Sequence, residues 1–254
     1  MGVCYETPPL SFGTGRETAA RRFLHIWGRS PNGGSRLSDL PRTIVYVDGF
    51  NFYYAAFRGK HPRAPRLKWL DIAKFSRLLL PEHDVCLVRY FTAAVKPVEW
   101  DRSQHLRQGA YLRALDALPD VSVLKGRFAR WKVRRPLVDA PPEGPQTALV
   151  WDTKEKGSDV NLATHLLLDG FEGSYDTAIV VSDDSDLLEP VRVVRERLGK
   201  HVGVIRVRTD RGSVFRGKVD LLIEARAWHF EQAQLPDEVM LPAGRVVSRP
   251  SAWR

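Results

Sequence analysis

Unbroken apolar runs alternate along this chain with stretches of helical spacing. Ile44-Val45-Tyr46-Val47 stops abruptly on Asp48-Gly49-Phe50-Asn51. A β-branched run with no polar interruption predicts a strand buried on both faces, as in the middle of a parallel sheet. Comparable runs predict strands over Val85–Phe91, Val121–Leu124, Thr177–Val181 and Val202–Val207. Between them, Ile72, Phe75 and Leu79 mark one face of a helix within Leu70–Leu80, stopped by Pro81. Leu106, Ala110, Ala114, Leu115 and Leu118 mark a longer helix over Trp100–Leu118. A third is predicted from Asp159 to about Leu168, with Ser158 as its candidate N-cap. Leu187, Val191, Val194 and Leu198 trace a fourth, which Gly199 closes and in which Pro190 belongs near the start.

Parallel strands need crossovers, so this alternation predicts an α/β fold with a mainly parallel sheet flanked by helices and right-handed connections. Residues 136–147 hold four prolines and read as a Pro-rich insertion, followed by a short strand at Ala148–Trp151. Asp220–Phe230 is expected to pack at the sheet edge. The organisation is then a basic arm over residues 1–41, one domain over 42–230, and a Pro-rich C-terminal tail over 231–254.

The 254 residues, 43% of them hydrophobic, suffice for one good core. No apolar run approaches the roughly 20 residues that span a bilayer. Arg21-Arg22 has no h-region behind it, so the expectation is a cytoplasmic protein with no membrane partner. Two cysteines make neither a disulfide framework nor a thiolate metal site. The net charge of +9 favours a polyanionic partner.

The candidate chemistry is carboxylate. Asp48 ends a buried strand, where ligands of parallel α/β sheets bind. Asp159, on its predicted helix, has Leu162, Ala163, Leu166 and Leu167 as its neighbours along one face. It therefore faces the sheet, from a first turn whose dipole favours an anion. Ser182-Asp183-Asp184-Ser185-Asp186 follows another buried strand. Three acids in four positions repel unless cations compensate. Oxygen-only donors without clustered Cys or His point to Mg²⁺ or Mn²⁺.

Three blocks, Val47-Asp48-Gly49-Phe50-Asn51, Lys156-Gly157-Ser158-Asp159-Val160 and Val181-Ser182-Asp183-Asp184-Ser185-Asp186, resemble those of NYN domains, a branch of the PIN-like nuclease superfamily. The resemblance spans roughly residues 43–207 and implies a PIN-like three-layer sandwich. It also implies a divalent-metal pocket at Asp48, Asp159, Asp184 and Asp186 that cleaves RNA to a 5′-phosphate and a 3′-hydroxyl. Asn51 and Ser182 match the family's asparagine and strand-end hydroxyl. Asp183 and Leu187 stand where the family usually has Gly and Phe, so Asp183 adds a carboxylate beside the pocket. In this reading Asp48 is the central ligand, Asp159 and Asp184 bind directly or through water, and Asp186 lies further out. Lys156, Ser182 and Asp183 support the site.

An acid pocket repels phosphate, so cations must surround it. Lys125, Arg127, Arg130, Lys132, Arg134 and Arg135, interleaved with Phe128 and Trp131, are expected near the same rim, as are Arg206 and Arg208. Such a group would hold an RNA backbone while aromatics stack on unpaired bases. The expected function is a metal-dependent ribonuclease acting on single-stranded or loop RNA. Its rivals are a catalytically inactive RNA-binding module and a phosphohydrolase of small nucleotides.

Overall fold

The computed structural model describes residues 40–58, 62–99, 101–207 and 212–254. All but the last two residues of the expected N-terminal arm lie outside them, as does Arg208. The strands are β1 (Arg42–Asp48), β2 (Asp84–Ala93), β3 (Val121–Pro136), β4 (Thr147–Lys156), β5 (Thr177–Val181), β6 (His201–Arg206) and β7 (Leu221–Glu224). They form one sheet in the order β4-β3-β2-β1-β5-β6-β7. Every neighbouring pair is parallel except β3 with β4. The chain builds outward from β1 through β2 and β3, then returns to the other side of β1 at β5. The crevice beyond the carboxyl ends of β1 and β5 is therefore a switch point, the usual ligand site of open parallel sheets.

Helices cover both faces, giving the expected three-layer α/β sandwich. Val45 and Val47 point to a layer made by α1 (Gly49–Phe57), α2 (Ile72–Leu79), α3 (Gln104–Asp116) and α6 (Ala227–Gln232). The alternate residues Ile44 and Tyr46 point to α4 (Ser158–Phe171) and α5 (Leu188–Arg197). Period-2 alternation along a strand buried on both sides produces this division. One end of α4 is clamped to the sheet. Tyr46 donates to Asp169 at 2.7 Å, and Arg89 of β2 holds the same carboxylate through two hydrogen bonds of 2.7 and 2.8 Å. That clamp orients the whole helix, whose other end carries Asp159.

Several expectations change. The third strand runs on to Pro136, and the short strand after the Pro-rich insertion is the ten-residue β4. Up to Gly126, β3 pairs with β2; from Arg127 on it pairs only with β4. The two strands thus leave the sheet as a ribbon beyond the carboxyl rim. Ser158 is not the N-cap of α4: Gly157 takes that position with φ of 100°, a conformation that L side chains rarely adopt. Residues 231–254 are not a loose tail. Strands β8 (Glu238–Met240) and β9 (Val246–Ser248) pair as a hairpin, Trp69 Nε1 donates to the Pro236 carbonyl at 2.7 Å, and Trp253 is buried against Trp69 and Tyr111. Burial of large aromatics drives this docking. Among the described residues no helix is long and apolar enough to cross a membrane.

Candidate functional site

Asp48 is the last residue of β1 and the N-cap of α1. Its Oδ1 accepts from the backbone N–H of Asn51 at 3.0 Å, and its Oδ2 accepts from the Ser182 hydroxyl at 3.1 Å. Gly49 follows because a Cβ there would stand 2.7 Å from the Phe91 carbonyl oxygen and 2.8 Å from the Tyr90 ring. A larger residue would push the helix and its cap away from β2. Ser182 also accepts from the backbone N–H of Asp184 at 3.2 Å, so one hydroxyl ties the β1 carboxylate to the loop after β5. Asp184 in turn caps the turn at Ser185–Leu187 through the N–H of Asp186. Asn51 does not touch the Asp48 carboxylate with its side chain; its Oδ1 accepts from the Asp183 N–H at 3.3 Å and braces the same loop.

The acids share one electrostatic environment. Burial pushes the Asp48 carboxyl up to about 6, its two hydrogen bonds oppose this, and the charges of Asp159 and Asp184 add to it. Asp159 is also raised, first by burial and then by Asp184, Glu155 and Asp186. Among the described residues no lysine or arginine forms an ion pair with Asp48, Asp159, Asp184 or Asp186. The donors are hard oxygens, as Mg²⁺ and Mn²⁺ prefer. As they stand, no three acid, His or Cys side chains among the described residues close on a single point. The residues fit a cation held through one or two carboxylates and several of its own waters, the usual habit of Mg²⁺.

Asp183 is excluded from this cluster. Its carboxylate accepts from the Ser213 hydroxyl at 2.6 Å and pairs with Arg206 at 3.4 Å. Arg206 is 2% exposed and also pairs with Glu224, so it is no surface RNA contact; it neutralises the extra acid. Sequence reading also missed Glu155. Its Oε1 accepts from both the N–H and the hydroxyl of Ser158, at 3.1 and 2.8 Å, which sets the first turn of α4 beside Asp159. The three-residue spacing of Glu155 and Ser158 was the available signal.

The basic cluster divides by face. Lys125, Arg127, Arg130, Lys132, Arg134 and Lys156 are all exposed. Phe128, Arg130, Lys132 and Arg134 share one face of the ribbon with Trp151 of β4. There the Arg130 guanidinium lies 4.3 Å from the centroid of the exposed Trp151 ring, and the Lys132 ammonium 5.2 Å from it. Phe128 packs edge-on against Phe50, two residues from Asp48, so this face leads to the acids. Lys125, Arg127 and Arg135 belong to the other face, where Arg135 pairs with Asp152 at 2.6 Å. Trp131 is exposed on that second face.

An acid cluster centred on the buried Asp48, at the switch point of a parallel sheet and flanked by a cationic ribbon, defines a nuclease-like α/β domain. The chain belongs to the NYN domain family, whose description matches residues 42–223. It is also 29% identical, over 84% of its length and 75% of the relative's, to 6-hydroxy-3-succinoylpyridine 3-monooxygenase HspA of Pseudomonas putida (strain DSM 28022 / S16). A crystal structure of a protein of unknown function from Vibrio parahaemolyticus RIMD 2210633 is 16% identical, covering 79% of this chain and 100% of that one with a TM-score of 0.43.

Proposed function

We propose that this chain is a divalent-metal-dependent ribonuclease that hydrolyses phosphodiester bonds at the carboxyl rim of β1 and β5. The observation that carries the reading is Asp48. It is a carboxylate 4% exposed, raised to about 6, hemmed by two further acids and met by no described cation. A site that sets a buried carboxylate beside further uncompensated acids is suited to a doubly charged ion.

Asp48, Asp159 and Asp184 would hold Mg²⁺ or Mn²⁺, with Asp186 further out. A bound cation of this kind polarises a phosphate and lowers the pKa of its water. Ser182 and the Asn51 N–H fix the orientation of Asp48, while Glu155 fixes the start of α4. The Trp151 face of the ribbon holds the strand, phosphates on Arg130, Lys132 and Arg134 and a base on the indole. With Asp183 neutralised by Arg206 and Ser213, the departure from the family pattern adds no free charge to the pocket.

End-labelled single-stranded RNA incubated with Mn²⁺ should yield 5′-phosphate products that EDTA abolishes. Binding without products would instead make the chain an inactive RNA-binding module. A second reading takes up the activity that the Pseudomonas relative's name gives it on a pyridine, favoured by a cavity next to Asp48 whose lining includes Phe50, Tyr90 and Trp253. Substrate-dependent consumption of dioxygen with a two-electron donor, and no RNA products, would establish it.

The ribbon has its own test. Replacing Arg130, Lys132 and Arg134 together by Ala should flatten the salt dependence of RNA affinity by about 2 in log–log slope, since single strands contribute roughly 0.7 per phosphate contact. Arg135→Ala should leave the slope nearly unchanged, because Arg135 is already paired with Asp152. Fluorescence anisotropy across a salt series reads both.

A further inference from the structure

A cavity of about 520 Å³ lies on the α1–α3 side of the sheet, immediately next to Asp48. Gly49 and Phe50, the two residues that follow Asp48, form part of its wall. Its size falls within the roughly 300–1,000 Å³ range of small-molecule sites. The lining is rich in rings, Phe50, Tyr90, Tyr111 and Trp253 among them, mixed with polar and charged side chains.

Two hydroxyls on its β2 wall are uncommitted. Tyr90 and Thr92 project from the same face of β2 and are 5% and 3% exposed. Both line the cavity, and neither hydroxyl has a hydrogen-bond partner among the described residues. Both hydroxyls stay open to the cavity, since neither is among the buried polar atoms without a partner, so a ligand can reach them. By contrast, the Tyr111 hydroxyl in the same cavity donates to the Leu70 carbonyl at 3.0 Å. Two neighbouring hydroxyls aimed into an aromatic slot are suited to the polar edge of a planar ring.

The charges on the lining specify what that ring carries: Asp101 is already paired with Arg107, which leaves two cations. Lys68 sits with its ammonium 3.3 Å from the Tyr53 hydroxyl and within 6 Å of the Tyr53 and Phe57 ring centres. Neither Lys68 nor Arg58, both on the lining, is paired with a carboxylate among the described residues. The fit is a flat, hydrogen-bonding heterocycle bearing an anion.

We propose that this cavity is a nucleotide subsite, receiving one unstacked base of the substrate strand beside the bond that is cut. The base lies among the rings with its edge on the Tyr90 and Thr92 hydroxyls, and its phosphate meets Lys68 and Arg58. Single-stranded RNA is commonly read through such splayed-out bases. The assignment deepens the nuclease reading and rests on it for the identity of the strand. It adds a preference at one position that neither the acids nor the ribbon imposes.

The test uses the full chain without metal, titrated into 2-aminopurine riboside 5′-monophosphate and followed by the quenching of its fluorescence. AMP, UMP and pyridine-3-carboxylate serve as competitors. Saturable quenching that nucleotides compete away is expected, with affinity about tenfold lower in Tyr90→Phe/Thr92→Val at an unchanged melting temperature. Tyr90→Phe alone, which keeps the ring, should retain part of that loss if the double variant folds poorly. No saturable binding, binding indifferent to both substitutions, or competition by pyridine-3-carboxylate but not by nucleotides would overturn the proposal. Nucleotide binding with the expected loss in a protein that cuts no RNA would uphold the subsite and remove only the nuclease reading. Metal-dependent cleavage without nucleotide binding would do the reverse.

Discussion

Asp48→Asn is expected to lower Mn²⁺-dependent RNA cleavage by about 10³-fold or more while raising the melting temperature of the metal-free protein. The loss of activity follows from the central place of this carboxylate. A catalytic metal takes several kcal/mol off the barrier, and each 1.36 kcal/mol is a factor of ten. The gain in stability follows from the same burial. Asn is as good an N-cap as Asp, so the bond from the Asn51 N–H survives, while the cost of a buried charge disappears.

The sign is set by linkage. Folding raises this carboxyl from 3.8 to about 6, so the folded protein holds the proton more tightly than the unfolded chain. Its stabilising contribution is full below about pH 3.8 and is lost as the pH climbs through 6, a span of roughly 3 kcal/mol at most. Thermal melts in EDTA should therefore show wild type losing ground to Asp48→Asn between pH 4 and 7. Mn²⁺ should restore wild type at neutral pH and do little for the variant. A variant that melts lower than wild type at every pH, or one that still cleaves at the wild-type rate, would contradict this account.

Arg206→Met should destabilise the fold by about 3–5 kcal/mol, the usual cost of stripping one partner from a buried ion pair. Arg206 is 2% exposed and the Asp183 side chain 14%, so the carboxylate left behind cannot turn to solvent. Glu224, half exposed, can. The Ser213 hydroxyl alone would then support Asp183. For a domain of this size the melting temperature falls by roughly 2–4 °C per kcal/mol. The salt slope of RNA affinity, in contrast, should not move, because Arg206 meets no phosphate. Adding Asp183→Gly should recover much of the loss. Equal destabilisation in the single and double variants, measured by urea melts, would show that the two residues are not coupled.

The central strands and four of the helices were legible in the chain because burial on both faces leaves uninterrupted apolar runs, and crossover helices leave a 3.6-residue stripe. The acids were legible for a related reason. Where such a run stops on a carboxylate, as at Val47-Asp48 and Ser182-Asp183, the stop marks the rim. The segment after residue 231 was not. Its strands are three residues long, and three residues carry no periodicity; Trp253 is held by Trp69 and Tyr111, more than 140 positions away.

Local sequence determines which backbone segments are extended or helical, which residue types stand at their ends, and that the total charge is positive. It does so because propensity and periodicity act over a few neighbouring residues. Only tertiary structure decided which charges are free. Arg206 and Arg130 both belong to strands in basic surroundings, yet one is sealed against Asp183 and the other lies over Trp151. Likewise the hydroxyls of Tyr90 and Thr92 acquire meaning only because α1, α3 and the C-terminal segment enclose the space before them. Desolvation and pairing depend on atoms distant along the chain, and these set whether a charge or hydroxyl is spent within the fold or remains for a ligand.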